Sequence, residues 1–185
     1  HVAGTNGKGS VCAFLETGLI SMGIKCGCFV SPGLLCVEDS VRVGGKAIES
    51  KKLGRILTGL KKHSDAVKNE LGREPSAFEL LFAAALVHFK KEKCTHVIIE
   101  CGMGGAGDAT NAVDHSNICV FSPIGIDHTD YLGKSIKEIA KNKCGIIKKG
   151  SAVVSANQDL SAEQEILKKC RETGSELVFA EELKI

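Results

Sequence analysis

The sequence predicts an α/β protein: a mostly parallel sheet flanked by helices. Three observations carry this. Strand-like apolar runs alternate with helical periods along the whole chain. Two of the runs, residues 95–101 (THVIIEC) and 117–123 (NICVFSP), have the sustained apolar character of strands covered on both faces. The runs are separated by helices rather than by tight turns, which implies parallel pairing through right-handed crossovers.

In order, the opening stretch HVAGTNGKGSVCAFLETGLISMG reads as the end of a buried strand, a glycine-rich turn and a helix. Residues 25–30 (KCGCFV) form a short apolar strand ended by Ser31, Pro32 and Gly33. Residues 49–72 place Leu53, Ile56, Leu57 and Leu60 at helical spacing among lysines. Residues 76–93 are nearly all apolar in their middle and predict a buried helix. After the strands at 95–101 and 117–123, residues 133–150 predict a helix followed by a turn. SAVVSA, a helix over 162–172 and ELVFA add a strand, a helix and a strand.

The 185 residues suit one domain with one core and bury more than half of their unfolded surface without disulfides. A net charge of +2, from 24 basic and 22 acidic residues, excludes a strong field directed at nucleic acid or an anionic membrane. The nine cysteines are odd in number and scattered, and Cys28, Cys101 and Cys119 fall inside apparent strands. They read as small core hydrophobes in a reducing, cytoplasmic setting. Cys26 and Cys28 lack a second pair at zinc-site spacing. No apolar run approaches the ~20 residues of a membrane span.

Each loop that could carry chemistry follows a strand, so all converge on the carboxyl edge of a sheet. In AGTNGKGS (residues 3–10), Gly4, Gly7 and Gly9 let backbone amides approach a phosphate, while Lys8 and Ser10 supply a cation and a Mg²⁺-ligating hydroxyl. Only two residues separate Gly4 from Gly7 and Lys8, and Gly9 precedes Ser10. The spacing therefore departs from GxxxxGK[ST] and leaves a plain glycine-rich turn open as the alternative. Glu100 closes a buried strand, where a carboxylate is costly unless it binds a cation or accepts backbone hydrogen bonds. Asp127 and His128 follow the next strand; a solitary histidine is usually a satisfied polar residue. Lys143 ends an amphipathic helix, where most lysines are solvated.

Taken together, HVAGTNGKGS, FVSP, SAFELL, ECGMGG with DATN, IGIDHTDYLG and IAKNKCGIIK stand in the order found in the folylpolyglutamate synthase and dihydrofolate synthase family of the wider Mur ligase group. The chain resembles that family over nearly its whole length. The resemblance implies a P-loop-containing Mur ligase ATPase domain that uses ATP to phosphorylate a folate or dihydropteroate carboxylate. The L-glutamate amine then attacks the acyl phosphate, giving an amide, ADP and phosphate.

Carried over by motif, Gly4, Thr5, Asn6, Gly7, Lys8, Gly9 and Ser10 hold the nucleotide. Ser10 and Glu100 bind one Mg²⁺, and Ser31, Glu100 and His128 a second metal. Lys143 is carbamylated, Lys8, His128 and Lys143 serve catalysis, and Phe78, Asp108 and Ala109 lie near the pterin pocket. The expected enzyme is a monomer. The resemblance further implies that residues 1–185 are an ATP-binding domain cut within its N-terminal strand and lacking a C-terminal ligase domain. Gly33, Cys36, Glu38 and Ser40 stand where the family often has His or Arg, and Ala106 replaces an arginine. These departures leave two alternatives open: a Mur-type ligase for another carboxylate, and a nucleotide-binding paralogue without ligase activity.

Overall fold

The computed structural model describes residues 1–180. Their elements are β1 (Val2–Ala3), α1 (Lys8–Ser21), β2 (Cys26–Phe29), β3 (Val41–Val43), β4 (Lys46–Ala47), α2 (Ser50–Leu71) and α3 (Ala77–Lys91). There follow β5 (His96–Ile99), β6 (Ile118–Phe121), α4 (Thr129–Leu132), α5 (Ile136–Lys143), β7 (Ala152–Ser155), α6 (Leu160–Thr173) and β8 (Glu176–Phe179).

Local chemistry sets the helix ends. Ser76 accepts from the Glu79 amide while Glu79 accepts from the Ser76 amide, a reciprocal cap that starts α3; Ser135 and Glu138 do the same for α5. Arg73 also grips Glu79 with both guanidinium ends, which, with the Ser76 bonds, holds that carboxyl at about 2. Left-handed glycines, Gly72 and Gly174, terminate α2 and α6.

The chain divides into two compact units, residues 1–12 with 100–185 and residues 13–99, where the sequence suggested a single core. In the first, β1, β6, β7 and β8 form an all-parallel sheet in that order, with Val2 opposite Val120 and Val120 opposite Val154. Its core gathers Phe121, Ile139, Ile146, Val153 and Ile166 with the thiols of Cys101, Cys119, Cys144 and Cys170. Burial pushes the Cys101 and Cys144 thiols up to about 12, so both behave as small hydrophobes.

In the second unit the sheet order is β4, β3, β2, β5, with β2 and β5 parallel and the hairpin antiparallel. Phe29 packs against Phe78 and Phe82 at ring separations of 5.7 and 5.1 Å. The hairpin β3–β4 was not anticipated. Its signal is Gly44-Gly45, both at positive φ, between two short extended runs. Coverage of β5 also falls short of the expected two-sided burial. His96 and Val97 are exposed and only Ile98 and Ile99 are buried, since β5 is the end strand of this sheet. No helix among the described residues is long and apolar enough to cross a membrane.

Candidate nucleotide-phosphate site

Strand β1 delivers the glycine-rich turn. Gly4 (φ 148°) passes so close to Ser122 that any side chain at position 4 would strike its hydroxyl. Thr5 then ties the turn to the segment after β6: its amide donates to Pro123 O at 3.0 Å, its hydroxyl donates to Gly125 O at 3.1 Å, and that hydroxyl also accepts from the Gly125 amide at 3.0 Å. Gly7 takes a positive φ of 82° and Lys8 starts α1. The first turn of this helix carries no acidic side chain, so its unpaired amides and positive dipole end remain available to an anion. Lys8 Nζ rests 3.4 Å from Thr5 O.

Glu100 stands immediately after β5 and bridges Val2 in parallel register. It is buried, and its carboxylate oxygens lie 3.8 and 3.9 Å from where a Cβ on Gly9 would stand. Glycine at position 9 thus keeps open a space between the first turn of α1 and a carboxylate. On the protein side, Glu100 supplies hard oxygen donors to it. Among the described residues no group of three or more His, Cys, Asp or Glu side chains could hold a metal ion.

Lys143 departs most from its sequence pattern. It is not solvated: it is 2 % exposed, and its Nζ donates to Gly4 O at 2.7 Å. Burial, reinforced by the nearby charge of Lys8 and opposed by Asp127, pushes its amine below the ordinary lysine range. His128 takes a left-handed conformation (φ 47°) as the N-cap of α4, half exposed, with Nε2 3.6 Å from Asp127. Asp108 turns inward on its own loop, accepting from the Met103 and Thr110 amides at 2.7 and 2.9 Å. Ala109 begins the short 3₁₀ turn that follows.

One unit therefore contains Gly4, Thr5, Asn6, Gly7, Lys8, Gly9, Ser10, Glu100, Asp108, Ala109, His128 and Lys143, while Ser31 and Phe78 belong to the other. Sequence reasoning missed Ser122 and Gly125, which hold the turn; their only local signal is Ser-Pro-Ile-Gly directly after a strand.

Parallel strands ending in a glycine turn, a helix N-terminus, a lysine and a buried carboxylate define an α/β domain with the parts of an anion-binding turn. The chain belongs to the Mur ligase middle domain family, whose model matches residues 2–182. It is 35% identical to the dihydrofolate synthetase of Saccharomyces cerevisiae over 96% of this chain and 42% of that protein. It is 38% identical to the dihydrofolate synthase/folylpolyglutamate synthase of Bacillus subtilis over 84% of this chain and 36% of the relative. The structure of Mycobacterium tuberculosis folylpolyglutamate synthase complexed with ADP matches with a TM-score of 0.91 at 29% identity, covering 97% of this chain and 41% of that one. The chain thus spans about two fifths of the relatives' length.

Proposed function

We propose that this chain binds ATP within an amide ligase that joins L-glutamate to the carboxylate of a folate or dihydropteroate. The observation that carries the proposal is the convergence of the glycine turn, Lys8, Glu100 and the buried Lys143 amine in a chain of this family. A carboxylate is a poor electrophile. In the proposed reaction its oxygen attacks the γ-phosphorus of ATP, the bond to the β-phosphate oxygen breaks, and ADP leaves. The glutamate amine then attacks the acyl carbon, loses a proton and expels phosphate.

The amides of the first turn of α1 hold the phosphates, and the Lys8 ammonium neutralises charge shared between nucleotide and acceptor. Glu100 and Ser10 would hold Mg²⁺, an ion ordinarily bound by one or two carboxylates together with substrate phosphates and water. When bound, the ion draws charge from the phosphate oxygens. The space that Gly9 leaves in front of Glu100 suits it. His128, with Glu100, is proposed as a donor to a second ion. The Lys143 amine, whose neutral form burial favours, adds to CO₂ to give a carbamate and a proton, placing an anion where the amine now sits. Asp108 and Ala109 are assigned to the acceptor side, and the free thiols suit a reducing, cytoplasmic setting.

A Mur-type ligase acting on another carboxylate is the second reading, favoured by Ala106 and Gly33 standing where the resembled family has cationic residues. Ligation with ¹⁸O in the acceptor carboxylate tests the chemistry: one ¹⁸O is expected in the released phosphate, and unlabelled phosphate would rule out an acyl phosphate. Comparing folate, dihydropteroate and cell-wall-type carboxylates as acceptors separates the two readings. For the phosphate loop, Lys8→Ala is expected to weaken Mg·ADP binding by about tenfold or more in calorimetry. Equal affinity would remove the loop from the site.

A further inference from the structure

The turn that carries Lys143 is clasped to the glycine-rich loop after β5. Asn142 O accepts from the Ala106 amide at 2.9 Å, and Asn142 Oδ1 accepts from the Gly105 amide at 3.1 Å. From the other side, Asn111 Nδ2 donates to Ala106 O at 3.1 Å and to Gly145 O at 3.2 Å, stapling the loop to the residues just past Lys143. The two backbones meet with no room to spare. A Cβ on Gly105 would strike the Lys143 backbone, and one on Gly145 the backbone of Ala106. Lys143 Nζ, on Gly4 O at 2.7 Å, is therefore delivered to the phosphate turn by a stretch of chain held at Asn142 before it and Gly145 after it.

We propose that Asn111 and Asn142 are positioning residues that set the Lys143 amine against the phosphate turn. The chemical role of that amine rests on the function proposed above; its placement by the two asparagines does not. Each asparagine uses a different half of its amide. Asn142 is needed as an acceptor, so aspartate can replace it. Asn111 is needed as a donor to two carbonyls, so removing its Nδ2 loses both bonds, and its Oδ1, buried without a partner, offers no substitute. Because Asp108 and Ala109 lie on the same loop, a shift of that loop moves the amine with it.

The test is mild acetylation of the 185-residue chain, read by mass spectrometry at Lys143 against the exposed Lys137 in the same digest. In the wild type Lys143 is expected to be protected. Asn142→Ala is expected to raise its acetylation about fivefold, the weight of one neutral hydrogen bond in a local opening, and Asn111→Ala, which loses two, by more than that. Asn142→Asp is expected to remain at the wild-type level. Asn142→Ser, too short to reach Gly105, replaces the alanine variant if that variant does not fold. Unchanged protection in the alanine variants, or equal loss of protection in Asn142→Asp and Asn142→Ala, overturns the proposal. Acetylation does not involve CO₂. A protected Lys143 that gives no ¹³C carbamate signal with labelled bicarbonate would count against the carbamate and leave the clasp standing.

Discussion

The two compact units each bury charged side chains, and they treat them differently. In residues 13–99, Glu16 is 5 % exposed and is met by Arg42, whose Nη2 and Nε lie 2.7 and 2.9 Å from Oε2. Arg42 spends a further donor on Asp39 O. In the other unit the buried Lys143 gives its hydrogen bond to a backbone carbonyl and lies near the like charge of Lys8. A buried charge met by its opposite holds a fold together. A buried amine met by a dipole and a like charge is pushed toward its neutral, nucleophilic form.

Substituting Lys143 should therefore change chemistry far more than stability. In a protein as long as the relatives, Lys143→Ala is expected to reduce the proposed glutamate incorporation by at least about a hundredfold, with partial rescue by formate filling the vacated space. Lys143→Arg should not rescue, because guanidinium keeps its positive charge; an active Arg variant would sink the carbamate. Lys143→Met is expected to leave the unfolding free energy unchanged or to raise it, since burying an amine costs desolvation.

Arg42→Ala is the converse. It strands the Glu16 carboxylate and is expected to cost about 3 kcal/mol in urea unfolding while leaving Mg·ADP affinity unchanged. Replacing both partners, as Glu16→Gln with Arg42→Met, should recover much of that loss. If Lys143→Met proved as destabilising as Arg42→Ala, the contrast between the units would collapse.

The smallest expected effect lies in the second unit. Burial holds His88 below its ordinary value of 6.5, with Glu92 opposing and Lys52, Lys25 and Lys91 reinforcing. The unfolded chain takes up that proton first. The contribution of His88 is thus fully present above pH 6.5 and is lost as pH falls from there through the lower folded-state value. The loss should reach about 1.4 kcal/mol at most per pH unit, and His88→Gln should flatten it. A stability profile between pH 7 and 5 that is identical in the variant would show that His88 is not the group responsible.

Much of the frame was legible locally. The apolar middle of residues 76–93 marked α3, and Phe82, Ala84, Ala85 and Phe89 are buried. Residues 117–123 marked β6, and the order of glycines, Lys8 and Ser10 marked a turn entering a helix. The hairpin at Gly44-Gly45 was not read, because its strands of three and two residues are too short for periodicity to reveal.

The sequence by itself determined most of the helices and the longer strands with their parallel pairing, because those follow from side-chain period and turn chemistry within a few residues. Only the tertiary structure decided which polar groups are removed from water. Lys143 has the spacing of a solvated helical lysine. It is buried because Asn142 and Asn111 clasp its turn to the loop at Ala106 and because β1 brings Gly4 O to its amine from the far end of the chain. Likewise Thr5 is fixed by Pro123 and Gly125 only once β1 pairs with β6. Desolvation depends on what packs from elsewhere in the chain, and no local pattern encodes it.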